Sequence, residues 1–164
     1  MKGYTFRAYN QEHMARAIGM ALPISFKQSV EICRFIGNKN VNDAKKMLQN
    51  VVEKKSAIPF KRYNWDLGHK KKMGPARYPE KASKEFIKLI ENVESNAQFK
   101  GLNTSNLIIA HVSAHKAGKA MHFGRKSRRR MKRTNVEIIV EEKAKKTEDK
   151  KELKNKQEQK VKKE

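Results

Sequence analysis

Apolar residues recur along this chain in two rhythms. Across 25–93 they return every three or four positions, the spacing of one helix face, whereas across 107–140 they alternate or cluster as strands do. The first helix starts behind Ser25 as N-cap and sets Val30, Cys33 and Ile36 on one face. Gly37-Asn38 supplies a left-handed stop. Asn42 is placed to cap a second helix, whose stripe is Ala44, Met47, Leu48, Val51 and Val52, with Pro59 soon after its end. Pro79 opens a third, carrying Phe86, Ile87, Leu89, Ile90 and Val93, and Gly101 lies just beyond. Two strand-like runs follow, 107–112 and 136–140, and they read as the arms of a β-hairpin spanning 106–141. Residues 1–10 form a short aromatic arm with Tyr4, Phe6, Arg7 and Tyr9, while 60–78, broken by Gly68, Gly74 and Pro75, reads as an irregular basic insertion. The expected class is α+β: a small domain, 1–142, of three helices on a short antiparallel sheet with a long protruding hairpin.

Charge changes this picture in one place above all. The hairpin connector, HKAGKAMHFGRKSRRRMKR over 115–133, contains no carboxylate, and Ala117, Ala120, Met121, Phe123 and Met131 are its apolar residues. A two-stranded ribbon is marginal in water even without self-repulsion, so this segment calls for a polyanion around it. The whole chain agrees, with a formal net charge of +22 over 164 residues. Nucleic acid is the natural candidate. The region 143–164 is dense in both charges and has Ala144, Leu153 and Val161 as its apolar residues, which predicts a disordered tail. Cys33 is the sole cysteine, so an intrachain disulfide is impossible and a reducing compartment is the easy fit. No secretory apolar core follows Met1-Lys2, and the cations do not line an amphipathic helix, so a membrane is not an expected partner.

Phosphate contacts are expected from Lys116, Lys119, Arg125, Lys126, Arg128, Arg129, Arg130, Lys132 and Arg133. Arg predominates where the run is densest, and its planar fork clamps phosphate bidentately. A solvated charge run or a nuclear-targeting patch is the bland alternative. His115, His122 and Phe123 are candidates to stack on unpaired bases, although Met121 and Phe123 could instead pack on each other across the ribbon. In the insertion, Lys61, Arg62, Tyr63, Trp65, His69, Lys70, Lys71, Lys72, Arg77 and Tyr78 interleave cations with rings, a pattern suited to RNA with splayed bases. Trp65 and Tyr78 could equally cap the core. Enzyme signals fail: His111 and His115 have the spacing of a metalloprotease helix but no Glu between them, and they fall in a strand-like run. Cys33 lies on an apolar stripe, which reads as a buried thiol rather than a nucleophile. No catalytic residue, metal site or cofactor is expected.

The stretch 24–48, ISFKQSVEICRFIGNKNVNDAKKML, resembles the paired-helix opening of the large-subunit ribosomal protein L22 family. Gly124-Arg125, Lys132-Arg133-Thr134 and the run 136–140 look like the return arm of that family's long hairpin, with Arg128-Arg129-Arg130 one residue longer than the bacterial stretch. GHKKKMGPARYPEKASKEF, over 68–86, is similar to the insertion of archaeal and eukaryotic members, the archaeal type being the better fit. The resemblance implies a cytoplasmic constituent of the large ribosomal subunit, not an enzyme. It implies large-subunit rRNA and neighbouring ribosomal proteins as partners, and no DNA. It also implies a hairpin in the wall of the nascent-peptide exit tunnel, whose tip at Lys119, Ala120 and Met121 would face the passing polypeptide. Read from the residues alone, a free-standing RNA chaperone or nucleic-acid-binding module is the competing class. One arm counted over 106–120 would reach roughly 50 Å at about 3.4 Å per residue, longer than so small a domain is wide.

Overall fold

The computed structural model describes residues 4–143. Its elements run β1 (Met14–Leu22), α1 (Phe26–Ile36), α2 (Val41–Val52), β2 (Ile58–Pro59), β3 (His69–Lys70), β4 (Gly74–Arg77), α3 (Glu80–Phe99), β5 (Leu107–Lys116) and β6 (Thr134–Glu142). The main antiparallel sheet has the order β1-β6-β5, and a second small sheet has the order β2-β4-β3. The class is α+β, as the two apolar rhythms predict. The charged region expected to be disordered lies, Lys143 apart, outside the described residues.

The central strand, β6, is buried on both sides from Val136 to Val140. One face, with Val136, Ile138 and Val140, joins a core completed by Ile32 and Ile36 of α1, Leu48 of α2, and Phe86, Ile90 and Val93 of α3. Helix α3 comes close enough to β1 that a Cβ on Gly19 would stand 3.0 Å from Leu89 Cδ1 and 2.8 Å from Leu22 Cδ1. Close packing there requires the small residues Ala15, Ala17 and Gly19. The opposite face is mixed: Arg16, His111, Ser113 and Glu137 share register positions on it with Ile18 and Ile139. The aromatic arm covers that face: Phe6 stacks on His111 at 4.9 Å, and Arg16 is sandwiched between Tyr4 and Tyr9, at 4.2 and 4.3 Å from the ring centres.

Several expectations need correction. β1 was not anticipated, since its core-facing positions are too small to mark an apolar rhythm. The helix stop is Asn38 alone, with φ 59°; Gly37 has an ordinary φ of −56°. Asn40, not Asn42, caps α2: its side-chain oxygen accepts from the Asn42 amide at 3.0 Å, and Val41 can then be buried in the first turn. Ser25 does precede α1, but its side chain makes no capping bond. The insertion is not irregular throughout, because its end, β4, pairs with β2 on one side and with β3 on the other.

The hairpin turn also moves. The ladder of β5 with β6 ends at Lys116 opposite Thr134. Beyond it the arms continue through Ala117 N–H to the Arg133 carbonyl (3.2 Å), Met131 N–H to Ala120 (2.8 Å) and His122 N–H to Arg129 (2.9 Å). Met121 is bridged to Arg130, and the chain reverses in a 3-10 turn at Gly124–Lys126. Lys119, Ala120 and Met121 therefore sit on the outgoing arm rather than at the tip. Gly124 decides the position, since its φ of 65° is a conformation that costs glycine least.

Candidate nucleic-acid interface

Past the ladder the hairpin buries nothing fully. Lys119, Arg125, Lys126, Arg128, Arg129, Arg130 and Lys132 are exposed, and Phe123 is 87% exposed. Met121 is 60% exposed as well, so the two do not pair into an apolar patch that shields either. Among the described residues, none of the expected RNA-contacting cations takes part in an ion pair. Unneutralised guanidinium and ammonium groups line a narrow ribbon that has no core of its own. Arg133 is partly committed, because its Nη1 donates to the Ala21 carbonyl at 2.9 Å and ties the hairpin root to the end of β1. Thr134 reinforces this tie, its Oγ1 donating to Ile24 at 3.0 Å.

The insertion splits into an anchored start and an exposed far end. The anchor is a buried carboxylate: Glu31 of α1 accepts from the backbone amides of Lys61 (3.1 Å), Arg62 (2.9 Å) and Tyr63 (3.1 Å). Only backbone is consumed, so the Lys61 and Arg62 side chains stay exposed. Tyr63 is half-buried, edge-on to Phe26 at 6.3 Å. Trp65 is 87% exposed, which removes the core-cap alternative for it. His69, Lys70, Lys71 and Lys72 occupy β3 and the turn into β4, all exposed, with Arg77 at the end of β4. Tyr78 is half-buried and lies under Lys70 Nζ at 5.6 Å, so it serves packing and cation together.

A second buried carboxylate fixes the mixed sheet face. Glu137 Oε1 lies 3.0 Å from His111 Nε2 and accepts from Ser113 Oγ at 3.0 Å; the Thr5 hydroxyl donates to the same oxygen, and the Thr5 amide donates to Oε2 at 3.0 Å. Burial by itself pushes this carboxyl up, but those hydrogen bonds outweigh it and hold it below the usual range. His115 reaches only Ser113, at 2.9 Å, and stands exposed. Cys33 is buried in the core and its thiol is pushed up to about 12 by desolvation, which leaves it inert.

The sequence reading missed two kinds of residue. Glu31 and Glu137 act at a distance of 30 and 132 residues from their respective partners Lys61 and Thr5, and no local pattern marks them. Lys27 is the other: it lies on the first turn of α1, yet Lys27 lines one cavity of about 370 Å³ with Lys116, Lys119, Lys132 and Arg133. Lys116 Nζ lies 5.5 Å from the Phe26 ring centre and Lys27 Nζ 5.7 Å from that of Tyr63, so hairpin root and insertion start meet around α1.

Fold and surface together define a class: a small α+β domain whose densest runs of unpaired positive charge, among the described residues, lie on one basic hairpin and one basic insertion. A family model described as Ribosomal protein L22p/L17e matches residues 17–141. The chain belongs to this ribosomal protein family. Relatives named large ribosomal subunit protein uL22 include one from Archaeoglobus fulgidus, 41% identical over 84% of this chain and 94% of its own length. The Thermoplasma volcanium protein is 42% identical over 87% and 98%, and that of Methanoculleus marisnigri 43% over 80% and 91%. These archaeal relatives agree with the archaeal type inferred from the insertion.

Proposed function

We propose that this protein is a structural constituent of the large ribosomal subunit, working in the cytoplasm, that binds large-subunit rRNA through the hairpin and the insertion. The observation that carries this reading is the segment 117–133: every charged residue in it is Lys or Arg, and it buries no side chain fully. A ribbon of this kind gains stability from phosphate, which relieves the self-repulsion of its cations and accepts their hydrogen bonds. The helical domain then acts as a mount, and the exposed rings of Trp65 and Phe123 stack on unpaired bases. The names of the relatives support the large subunit as the particle.

The finer proposal concerns the hairpin's end. It extends into the wall of the nascent-peptide exit tunnel, with Lys119, Ala120 and Met121 on the arm beside the passing polypeptide and Phe123 leading into the turn. Neighbouring ribosomal proteins complete its surroundings. Sedimentation of tagged protein from lysate tests the placement: co-migration with large subunits is expected, and a diffuse distribution would instead fit a free RNA chaperone. A photoreactive residue at Met121 or Phe123 should crosslink to ribosome-bound nascent chains. Crosslinks to RNA alone, across several stalled peptides, would remove the tunnel assignment while leaving RNA binding intact.

A further inference from the structure

The cavity at the hairpin root is a site of a different kind from the distal ribbon. Its lining is Ile24, Ser25, Phe26, Lys27, Lys116, Lys119, Lys132 and Arg133, five cations with no carboxylate among them. They come from three separate parts of the chain: the first turn of α1, the end of β5 with its continuation, and the segment leading into β6. On the distal ribbon neighbouring cations are sequence neighbours, and free rotation lets them splay apart. Here the fold forces convergence, because Lys116 is paired opposite Thr134 and Thr134 is hydrogen-bonded to Ile24. Arg133 is held from behind by the Ala21 carbonyl, and Lys116 lies over Phe26. Like charges gathered by backbone constraints repel one another, and nothing in the cavity lining offsets them. A bound dianion or a pair of close phosphodiesters would.

We infer that this cavity is a phosphate clamp. It takes the backbone of a sharply bent RNA segment, two phosphates close together, between α1 and the hairpin root. This rests on the RNA-binding reading above and deepens it: the clamp grips RNA at the root and thereby fixes the angle at which the hairpin leaves the domain, while the distal arginines follow the backbone further out. It also assigns Lys27 as an RNA-contacting residue, the one cation of the five outside the hairpin.

The test uses the full chain, a ten-nucleotide single-stranded RNA and a hairpin RNA with a tight loop, with amide and side-chain NMR of the Lys and Arg groups. Both RNAs should shift resonances of Lys27, Lys116, Lys132 and Arg133, and the tight loop should bind more strongly. The double variant Lys27→Gln/Lys132→Gln should lose about tenfold in affinity at low salt, and its slope of log K against log salt should flatten by about 1.4, two contacts at about 0.7 each. Removing the same charge on α3, by Lys81→Gln/Lys84→Gln, should leave the root shifts and that slope largely as they were. Equal losses in the two double variants would mean that net charge alone matters, and the clamp is overturned. Shifts at Arg128, Arg129 and Arg130 without any at Lys27 or Lys132 would overturn the clamp but keep the RNA reading. No shift anywhere with either RNA would overturn both.

Discussion

Between Leu107 and Lys116 the outgoing arm of the hairpin is paired with β6 along its length, interrupted by a bulge at Ala110, and its partners from Val136 to Val140 are buried on both faces. From 117 to 133 the same two arms share a few backbone hydrogen bonds, and no side chain is fully buried. Backbone chemistry is the same in both halves, so the difference lies in what covers them. The proximal half has helices on one face and the aromatic arm on the other. The distal half is exposed on both faces, where a two-stranded ribbon is only marginally stable. Stability and the proposed RNA binding thus fall on different halves of one ribbon, and substitutions should separate them.

The largest effect on stability is expected at Ile138, fully buried at the centre of β6. Ile138→Ala should cost about 4 kcal/mol, the upper part of the range for core truncations. Met121→Ala, on the exposed arm, should change stability by less than about 0.5 kcal/mol. Denaturant unfolding of the two variants compares the halves directly, and equal losses would erase the distinction.

Next in size is Glu31. Ala there would leave three backbone amides, those of Lys61, Arg62 and Tyr63, without their acceptor. A loss of about 3 kcal/mol is expected from hydrogen bonds to a buried charged group. Hydrogen exchange should speed up at these three amides, with the β5–β6 ladder less affected. If they remain protected in Glu31→Ala, the carboxylate is not the anchor.

Acidification probes Glu137 more gently. Its folded carboxyl lies below the ordinary value of 4.5, so the stabilisation is fully present above that pH and drains away as pH falls through the lower, folded value. Protonation removes an acceptor from Thr5, His111 and Ser113, so the Thr5 amide should lose protection before the helices unfold. Glu137→Gln should flatten this acid dependence. An unchanged acid limb in that variant would assign it to other carboxylates.

How much of this could be read from the sequence follows from the range of the forces involved. Helix positions were legible because Phe86, Leu89, Ile90 and Val93 face one core and repeat at helix spacing, and all four are buried. The basic ribbon was legible because charge density needs no geometry to be seen. β1 was not, since Ala15, Ala17 and Gly19 are small where α3 presses on them, and smallness carries no periodic signal. Neither were Glu31 and Glu137: a carboxylate in a charged chain reads as a solvated one until the fold buries it. The insertion's sheet escaped because β2 and β3 are two residues each, too short for any pattern. The turn was misplaced because the long connector offers Gly118 as well as Gly124, and only the arm register chooses between them.

The smallest expected effect on stability is the one that says most about function. Arg128, Arg129 and Arg130 are exposed and make no ion pair among the described residues. Replacing all three by Gln should therefore leave unfolding free energy within about 0.5 kcal/mol, or raise it slightly as self-repulsion falls. RNA affinity should respond strongly, with the slope of log K against log salt flattening by about 2 if each arginine neutralises one phosphate at about 0.7 per contact. Amide exchange of the free protein supplies the matching control. Residues 128–130 should exchange at nearly unprotected rates without RNA and slow down when RNA is added, because the Arg129 amide has only the Lys126 carbonyl of its own turn as partner. Strong protection of these amides in the free protein would show that the distal half orders itself, and the contrast between the two halves of the hairpin would then collapse.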